Sequence, residues 1–312
     1  MKTLDTPFMD LTANLVSQPL APAVLRARSA MRAAVADFET IPEAALTNPW
    51  NWSAMGKSDV RYAFFRAYEI LELAAGHAEA VLAGAPAGPE VVRLIGPTTA
   101  SRWDLHGLLH CLTDEDWDAD PGGGEWTIRR TLAHIISSQR SFAWGTGWWL
   151  SEARRQDDPE LPPRVPAEFL AALPDEATDD VAGSRTEAAA QLDAILDLSI
   201  ERLAGLPDEM LEFGARYAGA PVSLAFRLGR WSSHMREHTI QVEKTLAMLD
   251  RRPTEVDRLI RLVLAAYGRL EAVVYGLPDV PAATAIVVQA TDQVRNVAAS
   301  AARSIPGRAT GR

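Results

Sequence analysis

The chain contains six histidines, and two pairs of them stand four residues apart, His106/His110 and His234/His238. Chance would place about 0.1 such pairs in a chain of this length, and four residues is the spacing that sets two side chains on one helix face. The second pair lies in Trp231-Ser232-Ser233-His234-Met235-Arg236-Glu237-His238-Thr239-Ile240-Gln241. Trp231, Met235, Val242, Leu246 and Leu249 form an apolar stripe there, with His238 inside it and His234 on its margin. Neutral imidazoles aimed into a helical core need partners. One divalent metal would satisfy both, and hydrogen bonds to neighbouring side chains would serve as well. Gln241 follows one turn along the same face. Arg230 lies one turn before His234 and could anchor a substrate carboxylate or phosphate, a solvated arginine being the plainer reading. Gln241 and Arg230 are therefore the candidate catalytic residues.

His134 sits in Thr131-Leu132-Ala133-His134-Ile135-Ile136-Ser137-Ser138, on a face shared with Thr131 and Ser138. Those small residues leave room for an ion and water, and Trp126 just ahead can pack over the end of a bundle. Taken alone, His134 reads as a hydrogen-bonded core histidine. The segment His106-Gly107-Leu108-Leu109-His110-Cys111 offers a rival pair beside a thiol, but it lacks a third ligand, and Gly107 weakens the helix that must hold the pair. Cys111, the single cysteine, excludes an internal disulfide and a cysteine metal cluster, and reads as a small buried hydrophobe. Trp144, Trp148 and Trp149 read as core, with a substrate-pocket wall as the alternative. No Ser-His-Asp order or phosphate-cradling loop is present, and Gly122-Gly123-Gly124 follows no strand.

The elements that must position these residues are helical. Apolar residues recur at helical spacing, predicting helices over 22–38, 58–82, 89–112, 127–150, 185–206, 222–250, 254–276 and 281–302, with Thr127 as a helix N-cap. The stretch from Ala153 to Gly183, with five prolines among many acids, reads as a lid or crossover, and the chain after the last helix as a frayed tail. The expected fold class is all-α, a helix bundle with one long crossover. Two echoes suggest a degenerate repeat. Leu192–Asp208 resembles Leu259–Asp279, and Trp50-Asn51-Trp52 with Asp59-Val60-Arg61 resembles Trp126-Thr127-Ile128-Arg129. The expected organisation is a central bundle at 89–250, flanked by a unit made of 1–85 and 253–312.

A net charge of −10 argues against a general nucleic-acid binder. No apolar run approaches the roughly 18 residues of a membrane span, and Met1–Leu11 lacks the apolar core of a secretory signal. These features lead to the expectation of a cytoplasmic protein with a small-molecule substrate and no nucleic-acid or membrane partner, an assembly as a homodimer being compatible with them.

The segment Trp126-Thr127-Ile128-Arg129-Arg130-Thr131-Leu132-Ala133-His134 resembles the second-helix signature of the DinB-like (DNA-damage-inducible B) metalloprotein superfamily, and His234-x-x-x-His238-x-x-Gln241 its fourth-helix signature. Leu112-Thr113-Asp114-Glu115-Asp116-Trp117 resembles the loop after its first helix, and the proline-rich stretch its crossover. The resemblance spans about 89–250. It implies an up-up-down-down four-helix bundle with a divalent metal, zinc or nickel, held by His134, His234 and His238, with positions open to water or substrate. In that family helix one supplies no ligand, and several relatives use a low-molecular-weight thiol such as mycothiol or bacillithiol as cosubstrate. The resemblance thus implies a metal-dependent thiol transferase, isomerase or hydrolase. The alternative is a non-catalytic metal-binding or stress-response interaction module.

Overall fold

The computed structural model describes residues 19–53, 56–85, 88–155, 161–171, 183–277 and 280–305. The Met1–Leu11 segment, part of the proline-rich stretch and the tail after residue 305 lie outside the described residues. In chain order come helix α1 (Pro22–Glu39), strands β1 (Pro49–Asn51) and β2 (Lys57–Asp59), and helices α2 (Val60–Ala83), α3 (Glu90–Ile95), α4 (Pro97–His110), α5 (Asp114–Asp118) and α6 (Ile128–Arg155). Helices α7 (Ala167–Ala171) and α8 (Arg185–Leu203) follow, then strands β3 (Gly214–Tyr217) and β4 (Ala220–Ser223), and helices α9 (Leu224–Met248), α10 (Glu255–Val274) and α11 (Pro281–Arg303). The protein is all-α, with two short hairpins as the sheet among the described residues.

Local chemistry sets most helix starts. Asp59 and Ser223 accept from the backbone N–H three residues on, and Thr113, Ser184 and Thr254 form complete capping boxes with Asp116, Glu187 and Asp257, each satisfying otherwise orphaned donors. Thr127 likewise accepts from Arg130 N at 3.2 Å. The helix expected over 89–112 is broken into α3 and α4 at Gly96-Pro97, because proline removes one N–H and its ring crowds the preceding turn. Hairpin β3–β4 sits where no strand was expected. Its turn places Ala218 and Gly219 at φ 49° and 85°, the left-handed pair of a two-residue hairpin turn. Alanine there carries none of the usual Asn-Gly signal, so the hairpin was hidden. The short helix α7 likewise falls inside the stretch read as irregular.

The helices pack as two bundles. Helices α1, α2, α10 and α11 share a core that includes Met31, Phe38, Phe64, Ile260 and Val287, with Phe38 stacked on Phe64 at 4.1 Å. Helices α4, α6, α8 and α9 enclose Leu105, Leu132, Ile136, Leu192, Met235 and Val242. The two sequence echoes fall at matching steps: Trp50 and Trp126 precede the second helix of each bundle, and the Leu192 and Leu259 segments lie on the third.

Helix α4 joins the bundles by packing on α10. A Cβ at Gly107 would lie 2.7 Å from Arg261 Cα, and one at Gly268 would lie 2.9 Å from Ala100 Cα. Gly107 therefore serves close helix approach, and α4 is supported by α10 where its own propensity is weakest. Beside this contact lies a buried ionic cluster. Glu271 on α10 is fully buried and accepts from Arg28 (2.8 and 2.9 Å), Arg102 (2.5 Å), Thr99 (2.5 Å) and Tyr267 (2.7 Å). Asp197 on α8 binds the same two arginines, at 2.5 and 2.8 Å, and accepts from Tyr275 at 3.0 Å. Burial works against the Glu271 charge, but the Arg102 and Arg28 guanidiniums outweigh it and hold the carboxyl down at about 2.

Candidate metal centre

Helices α6 and α9 lie side by side in the second bundle and carry the three site histidines. His134 projects from the second turn of α6. His234 and His238 project from the middle of α9, one turn apart, on the margin of a face whose Trp231, Met235 and Val242 are each 1% exposed. The burial of that stripe in the core fixes the direction of the imidazoles beside it.

All three histidines are half-buried, and a ring nitrogen from each lies within 4.8 Å of the other two. His238 Nε2 is 3.2 Å from His234 Nε2. Ring centroids are 4.6 Å apart for His134 and His238 and 5.2 Å for His134 and His234. Gln241 Oε1 lies 2.8 Å from His238 Nδ1 and, as an acceptor, places the proton on Nδ1. The His238 Nε2 lone pair then faces the His234 ring. Two nitrogens about 2.0–2.1 Å from one tetrahedral zinc would stand about 3.4 Å apart, so the observed edge fits a shared ion. The donor set is all imidazole, which suits zinc and other late first-row divalent ions.

Electrostatics favour the neutral, ligating form. Burial, reinforced by the neighbouring imidazoles of His238 and His134, pushes His234 down to about 4. Burial and His238 lower His134 as well. Glu237 does not enter the cluster. Its carboxylate lies 2.5 Å from Arg230 Nη2, and it is the Arg230 hydrogen bond first of all that holds its pKa below the usual range. Arg230 also donates to Ser233 Oγ at 2.7 Å and lies over the Tyr217 ring. Of the two candidate catalytic residues, Gln241 thus touches a site histidine, whereas Arg230 is engaged by Glu237.

Aromatic rings wall the cluster. Trp126 meets His134 edge-on at 5.2 Å and stacks on His238 at 6.4 Å, while Phe142 meets His234 edge-on at 5.7 Å. Thr245 Oγ1 donates to Trp126 O at 3.3 Å, and Lys244 binds Glu125 at 2.6 Å, tying the segment before α6 down onto α9. Thr131 is buried and bonded to Thr127 O, and Ser138 Oγ lies 3.5 Å from His134 Nε2. Phe142, Thr245 and Lys244 went unmarked in the sequence. Phe142 falls two turns beyond His134 on α6, a spacing that could have pointed to it.

The rival pair does not converge. His106 Nε2 lies 2.8 Å from Asp193 Oδ1, and His110 Nδ1 lies 3.1 Å from Glu39 Oε1, so each imidazole has its own carboxylate. Burial raises the Cys111 thiol to about 11, and Cys111 donates to Leu108 O at 3.0 Å, as an inert packed thiol does. Trp144 and Trp149 are core residues, both essentially unexposed, and Trp148 packs edge-on against Trp149 at 4.6 Å.

A histidine-lined site between the second and fourth helices of a four-helix bundle defines a helical protein with a candidate metal centre. Residues 98–242 match the sequence model of the DinB superfamily, and over that span the chain is similar to it. No curated protein and no solved structure matches the chain. Among the described residues no helix is long and apolar enough to cross a membrane.

Proposed function

We propose that this protein is a metal-dependent enzyme acting on a small molecule, with His134, His234 and His238 as the ligands of one zinc or nickel ion. The observation that carries this reading is the convergence of three half-buried imidazoles with no carboxylate or thiol among the described residues completing the set. A structural zinc is closed by four protein ligands, whereas three leave a position for substrate. A bound divalent ion would supply Lewis acidity, lowering the pKa of a water or thiol beside it.

The chain's own residues carry the remaining work. Gln241 holds His238 in the Nδ1–H tautomer, and such outer hydrogen bonds orient and strengthen a ligand. Trp126 and Phe142 restrict water around the imidazoles. The proposed chemistry is transfer or isomerisation with a low-molecular-weight thiol, or hydrolysis, in a cytoplasmic setting. Metal analysis of the purified protein beside His238→Ala tests the ligand set, and a thermal-shift screen of metal-loaded protein against glutathione, mycothiol, bacillithiol and coenzyme A tests the cosubstrate. Stabilisation by one thiol that disappears in His234→Ala supports transfer. Metal bound without any thiol response favours hydrolysis or the non-catalytic module, and equal metal content in both proteins overturns the site.

A further inference from the structure

Away from the three-histidine cluster, an open cleft of about 660 Å³ lies between the two bundles, within the size range of small-molecule sites. Helix α1 forms one wall with Arg32, Ala36 and Glu39. Helices α4 and α8 form the other with Trp103, His106, His110, Arg185 and Asp193. The Trp103 and His106 rings pack together at 5.3 Å. Trp103 is 5% exposed, and its indole N–H has no acceptor. Leu109, Leu264 and Val35 add apolar lining, beside the hydroxyl-bearing Thr186.

The charges of the cleft divide into a satisfied interior and an unsatisfied rim. Asp193 is tied to His106 and lies 3.7 Å from Arg102; despite its burial, these neighbours hold its carboxyl well below the usual range. At the rim, Arg32 is 65% exposed and reaches Asp193 only at 3.9 Å. Arg185 donates to the carbonyls of Leu109 and Leu112 at the end of α4 and has no carboxylate partner among the described residues. Glu39 is half exposed and, among the described residues, bonded only to His110, whose pKa burial lowers. Glu39 and, more weakly, Asp257 act on that imidazole with one sign and Arg185 with the other, so opposite charges flank it. One arginine loosely paired at the rim, one with no carboxylate partner among the described residues, an exposed carboxylate with no cationic partner among them, and an aromatic floor complement a molecule bearing both charges and an apolar group.

We infer that this cleft binds a small zwitterion with an apolar side chain, an α-amino acid of the phenylalanine class, with its carboxylate on Arg32 and Arg185, its ammonium on Glu39 and its side chain against Trp103. The site takes no part in the three-histidine cluster, so it stands or falls independently of the metal reading.

The test is calorimetric titration of the full chain with phenylalanine, hydrocinnamate (no ammonium) and phenethylamine (no carboxylate). Phenylalanine should bind about tenfold more tightly than either analogue, the lower end for a charge-assisted hydrogen bond. Glu39→Gln should reduce phenylalanine to the level of hydrocinnamate and leave hydrocinnamate unchanged. Arg32→Gln should weaken phenylalanine and hydrocinnamate but leave phenethylamine alone. Both positions are exposed, so these variants keep the fold. Ala36→Trp, also at an exposed position, should fill the cleft and abolish all three signals with circular dichroism unchanged. Equal binding of the three compounds, no binding of any at millimolar concentration, or undiminished phenylalanine binding by Ala36→Trp would each overturn the assignment.

Discussion

Replacing Glu271 with glutamine removes the one fully buried anion between two arginines whose side chains are 4% and 0% exposed. The wild-type cluster pairs Arg28 and Arg102 with Glu271 and Asp197, so the exchange leaves two buried guanidiniums sharing Asp197, with Asp193 only a longer 3.7 Å partner of Arg102. Breaking a buried pair by deleting one partner costs about 3–5 kcal/mol, because the surviving charge stays desolvated. Glutamine keeps the volume and one acceptor, so the loss reports charge rather than a cavity. Urea unfolding followed by near-ultraviolet circular dichroism should show the lower midpoint. A second exchange, Arg102→Met, restores neutrality with Arg28 and Asp197 still paired, and the double variant should regain at least half of the loss. The pH dependence has a definite sign. The folded carboxyl is depressed from 4.5 to about 2, so its contribution is full above about 4.5 and disappears as pH falls through about 2. The gap between wild type and Glu271→Gln should therefore close across that window. A single-variant loss below about 1 kcal/mol, or a double variant less stable than the single, would refute the charge argument.

Gln241→Leu takes the acceptor from His238 Nδ1, and metal affinity measured against a fluorescent chelator should fall about 10–100-fold. Protonated imidazole cannot ligate, and His234 is held down to about 4. Bound metal should thus persist below the ordinary histidine range near 6.5 and be released as pH falls through about 4, which dialysis at stepped pH with metal analysis checks. In metal-free protein the unfolded chain takes up those protons first, so stability should decline over the same interval. Gly107→Ala pushes a Cβ to 2.7 Å from Arg261 Cα and should cost about 1–3 kcal/mol by overpacking. The matched exchange Gly76→Ala, with nothing within 4 Å inside α2, should gain up to about 1 kcal/mol by thermal unfolding.

The legible parts of the sequence were those written in short-range pattern. Helix spans appeared because each amphipathic stripe repeats within a few residues, and the His234–His238 pair was visible because four residues make one turn. Gln241 fell on the same face for that reason. The break at Gly96-Pro97 was written in the sequence and overridden by the apolar run around it. Two features were out of reach. The ionic cluster joins Arg28 to Glu271 across 243 positions, and no local pattern marks two such residues as partners. Gly107 read as a flaw because the backbone it must let approach belongs to Arg261. The resemblance located the bundle, and the match over 98–242 agrees with it, but neither speaks of what packs against α4 from outside that span.

That outside contact bears on how the protein can be made. Helix α4 leaves the ribosome at residues 97–110, while its partner α10 arrives only with residues 255–274. Until then the α4 face around Gly107 lacks the helix that packs on it, and α1 and α2 wait for α10 and α11 to complete their shared core. Translation thus produces two half-finished halves, and contacts of this sequence separation form late in folding. A fragment cut to the family-matched span would carry all three site histidines yet expose that face, and should aggregate where the full chain does not.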